Sequence, residues 1–208
     1  VLNVINDAAH NPKISVIVLA LQQMQNAHLN KLQEIGQALT EFKAQGKKII
    51  ATGDSYSQAQ YYLASYADEI SMHPYGWVGV EGYAMYPVYF KDALDKLSIS
   101  QHIFRVGTFK SAVEPFIRND MSDAAKLANK AWLAALWLQY KTDVATQRQF
   151  DITNFDESMT TFLEKFAAQS GDSGEYALKN GWVDYLKTKE EVRQDLIKLV
   201  GLDKEGKS

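Results

Sequence analysis

Lys110 stands in the run Phe104-Arg105-Val106-Gly107-Thr108-Phe109-Lys110-Ser111-Ala112-Val113-Glu114-Pro115-Phe116, the stretch whose residue types best suit proton transfer. A lysine at its ordinary pKa of about 10.4 is neutral in only about one molecule in a few thousand at pH 7. Burial disfavours the charged form. Flanking Phe109, Ala112 and Val113 could partly desolvate the amine, and such burial is what would make it a usable general base. The β-rich run 99–106 reads as a strand ending at Gly107, and Pro115 as a stop to any helix or strand through the segment. Reactive side chains are commonly presented in this way, on irregular backbone at the end of a strand. The alternative is a solvated loop lysine paired with Glu114. A close carboxylate would oppose deprotonation, so Arg118 is the expected partner of Glu114.

A base needs a nucleophile to serve. Ser111 adjoins Lys110, but neighbouring side chains diverge along a strand or a helix, so Ser111 reads as a cap or as a hydrogen bond orienting the lysine. Ser55 and Ser57, in the turn Thr52-Gly53-Asp54-Ser55-Tyr56-Ser57-Gln58-Ala59-Gln60, read as capping residues. The histidines at 10, 28, 73 and 102 show no metal-ligand spacing, and no triad can be assigned. Gly76, Gly79 and Gly82 form no phosphate loop, because no Gly-rich turn opens a helix with the needed Lys-Ser/Thr. No cofactor and no metal are expected. Tyr83, Tyr86, Tyr89 and Phe90 could line an apolar cleft, and most of them are expected in the core.

The run Val106-Gly107-Thr108-Phe109-Lys110-Ser111-Ala112-Val113-Glu114-Pro115-Phe116 resembles the lysine motif of the signal peptide peptidase A family, also called protease IV. The likeness extends over nearly the whole chain, including Tyr56-Ser57-Gln58-Ala59-Gln60-Tyr61-Tyr62-Leu63-Ala64-Ser65 and Pro115-Phe116-Ile117-Arg118-Asn119-Asp120-Met121-Ser122. That family comprises membrane-bound serine peptidases with a Ser/Lys dyad and a fold of the ClpP/crotonase type. The match is to the amino-terminal half of the long, two-half form, in which the lysine lies in the first half and the nucleophilic serine in the second.

The resemblance implies that Lys110 is the catalytic base, acting on hydrophobic peptides such as cleaved signal peptides. It implies partnership with the carboxy-terminal half of the same protein and a homo-oligomer, a tetramer. It places this region on the periplasmic side of a bacterial inner membrane. Aligned on Tyr61-Tyr62-Leu63, Ala59 stands where an active half has its serine, and Leu21-Gln22-Gln23-Met24-Gln25 stands where it has paired oxyanion glycines. This half alone is therefore expected to be inactive. One alternative is a crotonase-type acyl-CoA enzyme, which would need two intact oxyanion N–H donors. The other is a non-catalytic scaffold for an oligomer, which an exposed Lys110 pointing away from any cleft would favour.

Composition bounds the remaining choices. The 208 residues, 46% apolar and 23% charged, can bury a sizeable core. A net charge of -3 and the lack of a basic cluster speak against a nucleic-acid partner. With no cysteine, disulfides and thiol catalysis are excluded. No apolar run approaches the roughly 18 residues of a membrane span. Val1 falls inside a helix-like segment, so the chain is expected to be part of a longer protein anchored elsewhere.

Apolar spacing predicts a helix over 1–10, then a buried parallel strand over 14–21. Leu32, Ile35, Leu39 and Phe42 mark a helix that stops at Gln45-Gly46 before a strand at 48–52, completing a βαβ unit. Asp54 or Ser55 is the expected cap of a helix to about Tyr66. Residues 70–72 and 78–80 read as β and 89–97 as an amphipathic helix. From Ser122 a long helix runs towards Gln147; its face of Trp132, Leu133, Leu136, Trp137 and Tyr140 is wide enough to meet a second domain or subunit. Helices over 155–168, 174–180 and 188–199, an extended piece at 181–185 and a fraying tail at 203–208 complete the reading. The expected fold is α/β: a ClpP/crotonase-like domain of βα units with additional C-terminal helices. Its expected division is a core of 1–121 carrying the lysine motif and a helical extension of 122–208.

Overall fold

The computed structural model describes residues 1–25, 27–104, 106–107 and 110–201. In chain order the elements are α1 (Leu2–His10), β1 (Val16–Ala20), α2 (Leu29–Ala44), β2 (Lys48–Gly53), β3 (Tyr56–Ser57), α3 (Gln58–Ala64), β4 (Glu69–Met72) and β5 (Val78–Gly79). They continue with α4 (Lys91–Lys96), α5 (Glu114–Ile117), α6 (Asp123–Arg148), α7 (Met159–Ala168), α8 (Ser173–Lys179), β6 (Tyr185–Leu186) and α9 (Lys189–Val200). By their contacts the residues form two units, Val1–Glu81 with Tyr140–Ser208, and Gly82–Gln139. This division runs elsewhere than at the expected 121/122 boundary, because β6 pairs inside the main sheet.

The first unit is α/β. A parallel sheet has the order β1-β2-β4-β6, and β3 and β5 form a separate parallel pair. The βαβ unit is formed by β1, α2 and β2, as the apolar periodicity predicts. Ile49, Ala51, Ile70 and Met72, alternate residues of β2 and β4, are fully buried together with Leu39 and Phe42 of α2 and Tyr61 and Tyr62 of α3. Gly36 lies where a Cβ would come within 2.4 Å of the Tyr66 ring, so a glycine in α2 admits that aromatic side chain. Tyr56 and Tyr61 donate to the carbonyls of Ser71 and Trp182 at 2.7 and 2.9 Å. Burial pushes both hydroxyls well above their ordinary pKa, which keeps them donors.

The strand expected to be buried is instead an edge. Pairing only with β2, β1 leaves Val18 39% exposed. Val16 and Val18, with Thr52, line a cavity of about 580 Å³ against Leu196 and Ile197 of α9.

Two aspartates set the strands that follow. The Asp68 N–H donates to Ile49 O at 2.8 Å while its Oδ2 accepts the Ile49 N–H at 2.7 Å. Asp184 repeats the arrangement one strand further on. Its N–H donates to Ile70 O at 2.9 Å and its Oδ2 accepts the Ile70 N–H at 2.8 Å. In each case the other carboxylate oxygen meets a cation from a helix: Lys43 at 2.9 Å from Asp68 Oδ1, and Arg148 at 2.7 Å from Asp184 Oδ1. Arg148 also donates to Gly181 O at 2.9 Å.

In the second unit, α4 and α5 are held together by the Phe90 N–H donating to Pro115 O at 2.7 Å and by the Phe90 ring stacked on Phe116. Ala125 is the one buried apolar residue among its described residues. No strand forms at 99–106 among the described residues, because no partner strand pairs with this extended run. The aromatic set expected in the core is not there: Tyr86 is 90% exposed, Phe90 is exposed, and Tyr83 and Tyr89 are half-buried. The wide apolar face of α6 is partly uncovered at Trp132 and half-covered at Leu133, Leu136 and Trp137, whereas Tyr140 is buried in the first unit.

The paired aspartates differ in their cations. The Arg148 side chain is largely buried, whereas the Lys43 side chain is a third exposed. Asp184→Asn should lower stability by about 2 kcal/mol, the range for a hydrogen bond to a charged group. Asp68→Asn should cost about half as much, because solvent already screens its partner. Urea unfolding of the two variants checks the order; equal losses would count against this account of the sheet.

Candidate functional site

The lysine segment lies in the second unit. Gly107 adopts φ +106, a backbone region that favours glycine, and a Cβ there would meet Lys110 Cγ and Cε at 3.9 Å. The Lys110 side chain therefore lies over Gly107. Lys110 is the residue before a 3-10 turn, Ser111–Val113, which runs straight into α5. Lys110 is exposed, in line with the solvated-loop alternative and not with desolvation by its neighbours; of these, Phe109 lies outside the described residues. Pro115 does not stop helix formation as expected. It sits in the first turn of α5, where its missing N–H costs no helical bond.

Glu114 is the residue that anchors this segment, and its expected pairing with Arg118 is not the one formed. The carboxylate is only 2% exposed and accepts the N–H and the hydroxyl of Ser122, the former at 3.0 Å. The Ser122 Oγ in turn accepts the Ala125 N–H at 3.1 Å, capping α6 as its sequence position suggests. Arg118 instead grips Asp120 through Nε at 2.9 Å and a terminal nitrogen at 2.7 Å. Those hydrogen bonds hold the Asp120 carboxyl below the usual carboxylate range. Ser111 is half-buried at the start of the 3-10 turn.

The turn carrying Ala59 lies in the first unit. Ala59 is the second residue of α3 and is half-buried. The cap of α3 is Ser57, not Asp54 or Ser55. Its hydroxyl accepts the Gln60 N–H at 3.5 Å, and Gln60 Oε1 accepts the Ser57 N–H at 2.9 Å, a reciprocal capping box. The same Gln60 side chain donates to Leu21 O at 2.8 Å, and Gln22 donates to Thr52 O at 3.3 Å. The Leu21 to Gln25 loop is thus tied to the α3 turn by amide side chains. Ser55 Oγ accepts the Trp77 N–H at 3.2 Å, and Asp54 pairs with Lys189 at 2.8 Å. Ser57 caps the helix as expected of it, and the Ser57-x-x-Gln60 spacing is itself a capping-box signature. The burial of Glu114 carries no such signal.

Among the described residues no cluster of His, Asp and Glu is arranged to hold a metal, and no helix is long and apolar enough to cross a membrane. His10 Nδ1 meets Asn6 O at 2.8 Å, and His73 Nδ1 accepts the Tyr75 N–H at 3.2 Å, both local contacts.

The profile of Peptidase family S49 matches residues 41–203, which include Ala59 and Lys110. The chain belongs to this family. It is 41% identical over 204 residues to "Protease 4" of Salmonella typhi, and 42% identical over 204 residues to "Protease 4" of Haemophilus influenzae. Each alignment takes in 98% of this chain and 33% of the relative, so the chain spans about a third of the length of these relatives. Among solved structures, an enoyl-CoA hydratase/isomerase from Marinobacter aquaeolei aligns at 13% identity with a TM-score of 0.39, over 95% of this chain and 62% of that one. At that score the likeness carries no argument.

With Ala59 at the turn and the Ser57 and Gln60 N–H groups engaged in the capping box, this peptidase-family chain purified alone should not turn over a peptide ester. A serine-directed phosphonate should leave Ser55, Ser57 and Ser111 unlabelled. Mass spectrometry after labelling checks it, and an adduct on any of the three would identify an internal nucleophile.

Proposed function

We propose that this chain is the lysine-bearing half of a Ser/Lys-dyad serine peptidase that degrades hydrophobic peptides, including cleaved signal peptides. Lys110 takes the proton from a serine belonging to the carboxy-terminal half of the same protein, then returns it to the leaving amine. The observation that carries this reading is the family match over 41–203, which takes in Lys110. An exposed amine requires that burial come from another surface. The sparse core of residues 82–139 and its many exposed apolar side chains are consistent with such a surface. In this reading the protein is a homo-oligomer, a tetramer, held at a bacterial inner membrane by a segment outside this chain, with this region on the periplasmic side.

A second reading is favoured by the same exposure: a scaffold half whose lysine takes no part in chemistry. An acyl-CoA activity has less support, since it needs open oxyanion donors and the Ser57 and Gln60 N–H groups are taken by the capping box.

Lys110→Arg in the full-length protein separates the first two readings. Arginine keeps the charge and most of the length but cannot be deprotonated. If Lys110 is the base, kcat should fall by about 10²–10⁴-fold with folding unchanged. Wild-type turnover of an apolar peptide substrate by the variant would leave the scaffold reading standing.

A further inference from the structure

Glu114 and Lys141 are the two charged residues buried among the described residues. Lys141 is matched by the Asp156 carboxylate, at 2.5 and 2.7 Å. Glu114 is 2% exposed in a unit where Ala125 is the one buried apolar residue among those described, and the proton transfers assigned to Lys110 give it no task. Burying a carboxylate is costly unless its oxygens are hydrogen-bonded, so a fold that keeps one there holds it in a set place. Both oxygens accept from one residue, Ser122: Oε2 from its N–H at 3.0 Å and Oε1 from its hydroxyl.

Each partner of this pair is itself a junction. Ser122 opens α6: its hydroxyl oxygen accepts the Ala125 N–H at 3.1 Å and its carbonyl accepts the Lys126 N–H at 2.8 Å. Glu114 joins the turn after Lys110 to α5. Its N–H donates to Ser111 O, and its carbonyl accepts the Arg118 N–H at 3.0 Å, so residues 111–117 move as one helical piece. On the other side of Lys110, Gly107 takes φ +106 and the Lys110 side chain lies over it. A lysine stem has four flexible carbons, so the reach of its amine depends on where its backbone is held. That backbone leads directly into the piece that Glu114 fastens to the start of a 26-residue helix.

Resting on the reading of Lys110 as the base, we infer that Glu114 and Ser122 are positioning residues for it. Neither exchanges a proton in the reaction. They act through Lys110, by fastening the turn that follows it to the start of α6, so that the amine meets the serine at one distance and in one direction. Proton transfer and attack are sensitive to such placement, and an error of about 1 Å can cost about 10²-fold in rate.

Steady-state kinetics of the full-length protein on an apolar peptide substrate test the inference, with circular dichroism showing that each variant is folded. Glu114→Ala removes both acceptors; kcat should fall about 10²-fold while KM stays within about twofold. Glu114→Gln, which still offers an oxygen to the Ser122 N–H, should lose less. Ser122→Ala should lose kcat in the same way, and Ser122→Thr, which returns the hydroxyl and the helix cap, should regain most of it. Added to Lys110→Arg, Glu114→Ala should cost nothing further, since a residue acting through Lys110 then has no base to place. Wild-type kcat in Glu114→Ala beside an inactive Lys110→Arg overturns this inference alone and leaves the base reading standing. So does a loss that appears in KM, or one repeated in full on the Lys110→Arg background. An active Lys110→Arg removes the base reading and this inference with it. If Glu114→Ala does not fold, the two Ser122 variants decide: equal kcat in Ser122→Ala and Ser122→Thr overturns the inference.

Discussion

The main sheet depends on carboxylates placed at the entry of its strands. A parallel strand cannot be reached by a tight turn, and β6 is reached from β4 only after a crossover that takes in more than half the chain's remaining length. Closing so long a loop has an entropic cost, and a strand of two residues offers few ladder bonds to offset it. Asp184 adds what the short strand lacks. It doubles the link to Ile70 with backbone and side chain together, and it draws in Arg148 from the end of α6. Charge-assisted bonds of this kind are about twice as strong as neutral ones. The same device at Asp68, with Lys43 as the cation, sets the step from β2 to β4. The last turns of α6 are thereby fixed against the sheet, and with them Val144 and Trp182.

The lysine segment is held on a different principle. Among the described residues of 82–139 only Ala125 is a buried apolar residue, so apolar packing contributes little to holding this segment. A buried carboxylate holds it instead. Removing Glu114 from water is unfavourable unless its oxygens are satisfied, and Ser122 satisfies them with both its N–H and its hydroxyl. The cost of that burial makes the arrangement specific, since any shift of α5 against the start of α6 would leave a charge unpaired in the interior. Lys110 itself stays at the surface, four residues away, on a glycine-dependent bend.

Much of this was legible before any coordinates. The βαβ unit of β1, α2 and β2 follows from apolar spacing alone, because helix and strand periodicities differ enough to be read from one chain. Membership of Peptidase family S49 was legible from the motif around Lys110. What was not legible depends on partners distant in sequence. The run 99–106 has strand-forming residues, but strand preference is realised only against a neighbouring strand, and none pairs with it among the described residues. The run at 14–21 reads as buried because it is apolar throughout, yet burial depends on what lies on both sides, and β1 is an edge. Pro115 reads as a stop unless the helix is known to begin there. Glu114 looks like any loop carboxylate until Ser122 is seen to face it.

At the α3 turn Ala59 offers no hydroxyl, and Gln60 engages the Ser57 N–H. A turn that activates an acyl group must keep backbone N–H groups turned outward and unshared, so that they gain a partner only when a carbonyl oxygen acquires charge. Here Gln60 removes that freedom. Its Oε1 takes the Ser57 N–H, while its amide nitrogen holds Leu21 O and so ties the loop after β1 to the turn. An intramolecular acceptor already in place outcompetes a diffusing one, because its ordering was met on folding. The methyl side chain of Ala59 and the occupied Ser57 N–H therefore act in the same direction, and the turn is held by its own side chains.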